Sequence, residues 1–297
     1  MDKPPVFPGQ PLKRTRFTSN IGFVFMAVPL ALLVAFISYL VVYLLGNGVR
    51  VVNWQFLTQP PLKGMTEGGI LPCVVGTFYV SIISILFAVP IGTLTAVYLA
   101  EYAPNNLLTR IIRSSIRSLA GIPSIVYGLF GVALFVHGMR IGLSVLASGL
   151  TLGLMNLPWI IATSEEALSA IPGSFREGAL ALGATKWEAI RHNVLPYAFP
   201  GMLTGVLLGL ARTLGETAPI LFTGVTYFTR ELPKTPFQKF MALPYHLFTL
   251  STQHDQIMRV RPLAFGTAIV LLIFVLGFDA IAFAIRMRVA ASNKWQV

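Results

Sequence analysis

Long apolar stretches alternate with short polar segments along this chain, and they predict its architecture. Six stretches are long enough, at roughly 20 residues or more, to cross a hydrocarbon core about 30 Å thick. They cover residues 21–46, 71–100, 118–139, 142–164, 197–225 and 262–286. A span in lipid must satisfy its own backbone hydrogen bonds, so each stretch is expected to be a helix. The pattern predicts an all-α polytopic membrane protein with six transmembrane helices.

Composition narrows the classes of function. Only 11% of the residues are charged, whereas soluble domains carry about 25%. The single cysteine, Cys73, excludes an internal disulfide and a cysteine-based metal cluster, and the four histidines lack metal-ligand spacing. No G-x-x-x-x-G-K sequence is present to hold ATP. We therefore expect a non-catalytic chain that binds no metal or cofactor and is driven by another subunit or by an ion gradient.

The distribution of Lys and Arg predicts the orientation. Thirteen of the 22 basic residues lie in the two tails and in the loops before the third and fifth spans. Both termini are therefore predicted to be cytoplasmic. The external loop 226–261 is also basic, either as a plain solvated loop or as a surface that attracts an anion or an acidic partner. Topology accounts for the net charge of +11 better than nucleic-acid binding does.

A polar segment, Glu177–Pro196, separates the fourth and fifth spans. Ser174 with Glu177, and Thr185 with Glu188, fit the capping-box pattern of helix starts. Gly183 lies between the two short helices and is expected to make the turn. These helices either dock a partner or lie on the membrane. In the second case the interfacial residues would be Phe175, Leu182, Trp187 and Ile190.

The fifth span carries polar residues on one face. Gly201, Gly205 and Gly209 recur every four residues, and Arg212, Thr213 and Glu216 fall within roughly 60° of that face. Arg212 and Glu216 are four residues apart and can pair along a helix.

Two interpretations of this face stay open. In one, the pair neutralises itself while the glycines bring two helices together. In the other, the Arg212 guanidinium meets a tetrahedral oxyanion, Glu216 orients it, and Thr213 and Thr217 donate hydroxyl groups.

Other polar or helix-breaking residues in the spans are weaker candidates. Gly121 and Pro123 are expected to kink the third span. Asn156 and Trp159 are candidates to line a cavity. Asp279 is a lone carboxylate in the sixth span, which either pairs with a basic group, stays protonated or relays protons.

The Glu177–Pro196 segment resembles the coupling-loop signature of type I ABC importer permeases. The signature is EAA, three residues, G, nine residues and IxLP; the positions that match it in register are Glu177, Ala179, Gly183, Leu195 and Pro196. Gly178 and Asn193 depart from it. The resemblance implies a CysTW-like transmembrane fold in which this loop inserts into a groove of a cytoplasmic ATPase subunit.

Three further strings are similar to phosphate ABC transporter permeases, more of the PstA than of the PstC type. They are ARTLGETAPILFTG, AGIPSIVYGLFG and MALPYHLFTLSTQ. The resemblance implies a phosphate-importing permease subunit in the inner (plasma) membrane, surrounded by lipid, which works by alternating access. Its implied partners are a PstC-like permease, an ATPase dimer that holds ATP and Mg²⁺, and an external phosphate-binding protein.

The resulting organisation is a tail at 1–20, a first helix at 21–46, a permease core at 70–286 with its coupling loop at 172–196, and a tail at 287–297. The first span lacks a small-residue cleavage site and is expected to remain as an anchor. Alternatives are a PstC-type subunit, a permease for molybdate or sulfate, an ion-coupled secondary transporter, or a sensor scaffold that docks a signalling partner.

Overall fold

The structure, a computed structural model, describes residues 12–293. The predicted tails fall partly outside this range, at 1–11 and 294–297. The chain divides into two units, up to Asn47 and from Gly48 onward, which are described separately. Helix α1 (Leu12–Gly48) has Pro29 inside it. Its segment Phe25–Gly48 is apolar enough to cross a membrane, as predicted for the first span.

The second unit is mainly helical and contains one short hairpin and an irregular segment at 224–242. Strands β1 (Pro61–Leu62) and β2 (Glu67–Gly68) pair antiparallel. The helices are α2 (Trp54–Thr58), α3 (Leu71–Val97), α4 (Leu107–Leu119), α5 (Ser124–Gly131), α6 (Val145–Ser169), α7 (Gly173–Ala181), α8 (Lys186–Ala189), α9 (Leu195–Gly215), α10 (Ala218–Thr223), α11 (Leu243–Thr252) and α12 (Ile257–Asn293). π-helical turns extend α3 over Tyr98–Tyr102 and α5 over Val132–Gly138, and join α8 to α9 over Ile190–Val194.

The predicted third span is broken. Between residues 12 and 293, five helical segments are long and apolar enough to span a membrane, and a sixth span exists if α4 and α5 are counted together. The chain bends by 103° between these two helices. The bend falls at Gly121 and Pro123, where the kink was predicted, because proline removes a backbone donor and restricts the residue before it. Residues 118–139 are therefore not one straight helix.

Helices α3 and α6 form the centre of the second unit and share its most extensive helix–helix contact. Glycines allow the close approach. A Cβ at Gly149 would lie 2.5 Å from Cγ2 of Ile83, and one at Gly153 would lie 2.7 Å from Cδ1 of Phe87. Small residues at such contacts let two membrane helices pack backbone to backbone.

The first residue of α11 is anchored on α3. The Leu243 N–H donates to Oγ1 of Thr77 over 2.8 Å in a buried position. The Thr77 hydroxyl in turn donates to the Cys73 carbonyl over 2.8 Å. Cys73 is fully buried. A polar group buried among apolar side chains has to be hydrogen-bonded, so these contacts fix the start of α11 against α3.

Replacing Gly76 by Ala is expected to destabilise the protein, because the added Cβ would lie 2.0 Å from the main-chain oxygen of Met241. The backbone cannot rotate away, so the overpacking penalty should be about 1–3 kcal/mol. Gly277→Ala in α12 is the matched control, since nothing lies within 4 Å of a Cβ there. Thermal unfolding in detergent should show a lower Tm for Gly76→Ala only. Equal midpoints for the two variants would contradict this packing.

Candidate functional site: a two-helix loop and a broken polar span

The segment between α6 and α9 folds as two short helices, α7 and α8, joined at Gly183. The glycine has a φ of 87°, a left-handed conformation that favours glycine. The Glu188 N–H donates to Oγ1 of Thr185 over 3.3 Å, and the Thr185 N–H donates to Oε2 of Glu188 over 2.8 Å. The turn and the second capping box are therefore present as predicted.

The first predicted capping box is absent. Helix α7 begins at Gly173, with Pro172 in the capping position, and no side chain accepts a hydrogen bond at its start. Ser174 thus lies inside the first turn rather than before it. Proline has no N–H to satisfy and therefore suits the start of a helix. Because α7 starts directly after Pro172, Ser174 and Glu177 are both inside the helix and do not form a capping box.

The outer surface of the two helices carries exposed apolar side chains. Leu182 is 91% exposed, and Leu180 and Trp187 are each 48% exposed. We call these three residues the apolar crest. Of the motif residues, Glu177, Gly183 and Pro196 are exposed, Leu195 is partly buried and Ala179 is buried.

The membrane-surface interpretation fits only part of this geometry. Ile190 is 1% exposed and belongs to the core. Phe175 packs edge-on against Tyr197, with ring centroids 5.0 Å apart. Two of the four predicted interfacial side chains therefore face the protein, and no segment between residues 12 and 293 covers the apolar crest.

The inner surface of the loop is held by Arg176 of α7. Its Nη2 lies 2.5 Å from Oε1 of Glu101, and its Nε lies 3.0 Å from Oε2 of the same carboxylate. This hydrogen bond to Glu101 raises the pKa of Arg176 above its ordinary value. On α8, the Lys186 ammonium lies 4.8 Å from the centroid of the Tyr102 ring. Both helices of the loop thus contact the end of the α3 span.

A second arginine on α4 contacts the same region. Arg113 Nε lies 2.6 Å from Oε1 of Glu165 on α6, and Arg113 Nη2 donates to the Leu99 carbonyl over 2.6 Å. Sequence reasoning used Arg113 and Arg176 only to assign topology and missed both pairs. The available signal was the position of the carboxylates Glu101 and Glu165 at the ends of apolar spans, since such groups need a partner.

The polar end of the fifth span is not one continuous helix, contrary to the predicted span 197–225. Helix α9 ends at Gly215, Glu216 is extended with a ψ of 131°, and α10 begins after Thr217. Proline at the second position of α10 cannot donate a backbone hydrogen bond to α9, which explains the interruption. Arg212 and Glu216 still pair, with Nε 3.2 Å from Oε1, but across the helix end.

The glycine face of α9 lies against α6. A Cβ at Gly201 would meet Cβ of Ala167 at 2.7 Å, and one at Gly205 would meet Oγ1 of Thr163 at 1.7 Å. Gly209 has more room, with its nearest neighbours on α6 at 3.7 Å. This face therefore brings the two helices together and places the polar end of α9 beside the middle of α6.

Arg212 and Thr213 contact the residues around Pro158. The Asn156 amide donates to the hydroxyl of Thr213, which donates onward to the Gly209 carbonyl over 2.9 Å. The Arg212 guanidinium lies 6.0 Å from the centroid of the Trp159 ring, within the range of a cation–π contact. Asn156 and Trp159, the candidate cavity residues, thus join the predicted pathway residues.

Arg212 is available to an anion. Its side chain is 35% exposed, and that of Glu216 is 16% exposed. Only Nε is bonded to Glu216; the Nη1 and Nη2 groups donate no hydrogen bond to the part of the chain that the structure describes. An arginine fork with two free donors has the geometry for a planar, two-point contact with an oxyanion.

Two other features lie outside this cluster. An apolar cavity of about 360 Å³ opens between α5 and α6, with Tyr127 and Pro158 in its wall. It has no charged lining residue and is not itself an anion site. Asp279 on α12 forms no ion pair with any residue in the described range 12–293, so the basic partner considered for it is not found there.

Comparison with known proteins identifies relatives along most of the chain. The probable ABC transporter permease protein YqgI of Bacillus subtilis is 34% identical over 267 residues, which cover 86% of this chain and 89% of the relative. The phosphate transport system permease protein PstA of Mycobacterium leprae is 31% identical over 278 residues, or 92% of this chain and 90% of the relative.

A solved structure has the same fold. A chain of the bacterial alginate ABC transporter, in complex with its alginate pentasaccharide-bound periplasmic protein, aligns with a TM-score of 0.68 at 15% identity. The alignment covers 94% of this chain and 98% of that one. At this identity the likeness supports the polytopic all-α fold alone.

Residues 88–290 match the family described as "Binding-protein-dependent transport system inner membrane component". Such components are non-catalytic, multi-pass subunits of the inner membrane that work with an ATPase and a substrate-binding protein. These matches confirm the predicted fold class, membrane location and non-enzymatic role. The chain belongs to this family, the permease subunits of ABC importers.

Proposed function

We propose that this chain is the permease subunit of an ATP-driven importer of inorganic phosphate. The observation that carries the proposal is the partly exposed Arg212 fork at the break in the fifth span, in a chain whose relatives include proteins named PstA. Those of Mycobacterium leprae and Methanocaldococcus jannaschii are each 31% identical over 92% of this chain.

Arg212 is proposed to contact phosphate in transit. Glu216 holds the Nε edge of the guanidinium and leaves the Nη groups directed elsewhere. Thr213 and Thr217 flank the pair. The Thr213 hydroxyl is buried and already donates to the Gly209 carbonyl, so only the Thr217 hydroxyl is a candidate donor to a phosphate oxygen. A transport site must also release its ion, and the carboxylate of Glu216 opposes strong trapping of an anion.

The coupling loop is proposed to insert into a groove of an ATPase dimer that binds ATP and Mg²⁺. The uncovered apolar crest supports this role, because exposed apolar patches on folded proteins mark interaction sites. A PstC-like permease and an external phosphate-binding protein would complete the complex. Closure of the ATPase dimer would then move the loop and switch the spans between inward-open and outward-open states.

Sulfate and molybdate are tetrahedral oxyanions that fit the same fork, so they are the nearest alternative substrates, and a PstC-type role is the nearest alternative subunit. An ion-coupled secondary carrier would leave the apolar crest of the loop without a partner. We therefore favour the ATP-driven importer.

Arg212→Gln in the assembled complex should reduce phosphate uptake by at least about tenfold, because the two-point contact is lost. Arg212→Lys keeps the charge but not the fork, so it should recover only part of the activity. Uptake of labelled phosphate into proteoliposomes, with sulfate and molybdate as competitors, measures both effects.

Arg288→Gln, at an exposed position near the end of α12, is the matched control and should leave uptake unchanged. Copurification of the other subunits verifies assembly of each variant. Normal uptake by an assembled Arg212→Gln complex would refute the assignment of this residue to the pathway.

Gly183→Val should abolish ATP-driven uptake and weaken copurification of the ATPase. The turn between α7 and α8 requires a φ of 87° at this position, which a β-branched residue adopts only with strain. Gly183→Asn should be tolerated much better, since asparagine adopts left-handed conformations more readily. Nothing lies within 4 Å of a Cβ at this position, so the difference between the variants reports backbone conformation rather than a clash. Equal activity of the two variants would contradict this explanation.

A further inference from the structure

Arg176 joins the coupling loop to two spans through one side chain. Besides its bonds to Glu101, its Nη2 donates to the Leu168 carbonyl over 3.0 Å and its Nη1 donates to the Ile171 carbonyl over 2.8 Å. Leu168 lies in the last turn of α6, where the helix dipole makes a positive charge favourable. One guanidinium from α7 therefore holds the carboxylate of Glu101 and the carboxyl end of α6.

The contact is buried and specific in orientation. The Glu101 side chain is 4% exposed and that of Arg176 is 24% exposed. Glu101 accepts from both Nε and Nη2. A bidentate pair of this kind fixes the relative orientation of the two groups as well as their distance. Apolar side chains can shift along one another with little loss of contact. Separation of Arg176 from Glu101 would instead leave a buried carboxylate unpaired.

The Arg113 pair extends the same connection. It binds Glu165 of α6 and the Leu99 carbonyl, so the end of α3 is held from both α4 and α7. In consequence, two ion pairs and the hydrogen bonds of their arginines to main-chain carbonyls join the ends of α3 and α6 to the middle of α4, and Arg176 links this region to the coupling loop.

We propose that Arg176 is a positioning residue that carries displacement of the coupling loop into the ends of α3 and α6, with Glu101 as the partner it requires. The inference rests on the proposed function, because it assigns a residue to the coupling between the ATPase and the pathway. Removal of the contact should let the loop move without the spans, so that ATP is hydrolysed without matching transport.

The test uses the complete transporter in proteoliposomes, with the ATPase, the second permease and the phosphate-loaded binding protein. The variants are Glu101→Gln, Arg176→Gln and the double variant, and the measured quantity is phosphate imported per ATP hydrolysed. Each should lower this ratio by about tenfold, within the range of coupling free energies between sites. Glu67→Gln, which removes a carboxylate from the exposed Lys63–Glu67 pair, is the control and should leave the ratio unchanged.

The double variant distinguishes a positioning role of Arg176 from a purely structural role. It leaves no unpaired buried charge, so it should assemble and unfold like the unsubstituted complex even if the single variants do not. If its import per ATP stays low, the positioning role is supported. If that ratio returns to the unsubstituted value, Arg176 has only a structural role and the inference is wrong.

Failure of the proposed function would be detected in a different measurement: the unsubstituted complex would not import phosphate when ATP is supplied. The coupling ratio of the variants would then be measured with whichever oxyanion that complex imports, and it would decide the inference in the same way.

Discussion

The absence of water in the hydrocarbon layer is the constraint on which this structure depends. Backbone groups must be bonded within helices, and charged side chains must find partners. The chain meets this constraint with long apolar helices, and most of the charged side chains in its spans lie near helix ends; Asp279, inside α12, is an exception. Arg212 and Glu216 lie at the end of α9, and Glu101 and Glu165 lie near the ends of α3 and α6. The side chains proposed for anion contact and for coupling therefore lie at or near helix ends.

Helix α9 connects the two polar regions. It begins at Leu195, in the last two residues of the coupling loop, and ends at Gly215, beside Arg212 and Glu216. Its glycine face lies against α6, the helix whose end is bonded to Arg176. Because a packed pair of helices moves as a unit more readily than it bends, displacement at the loop end of this pair has a direct route to the guanidinium of Arg212.

The parts that sequence predicted well were those set by local physics. Apolar length located the spans, Gly183 located the turn, and the Thr185–Glu188 spacing located one helix start. The predicted capping box at Ser174 was wrong because α7 begins at Gly173, directly after Pro172. The predicted continuous helix 197–225 was wrong because apolar composition continues across the break at Glu216 and does not reveal it. The Arg176–Glu101 pair, 75 positions apart, depends on tertiary packing, which no local pattern contains.

The exposure of Leu182 also bears on the life of the subunit before assembly. A leucine that is 91% exposed on a loop predicted to face the cytosol is a recognition signal for chaperones and proteases until a partner covers it. We therefore expect an unassembled surplus of this subunit to be degraded quickly, which would tie its abundance in the membrane to the supply of the protein that docks there.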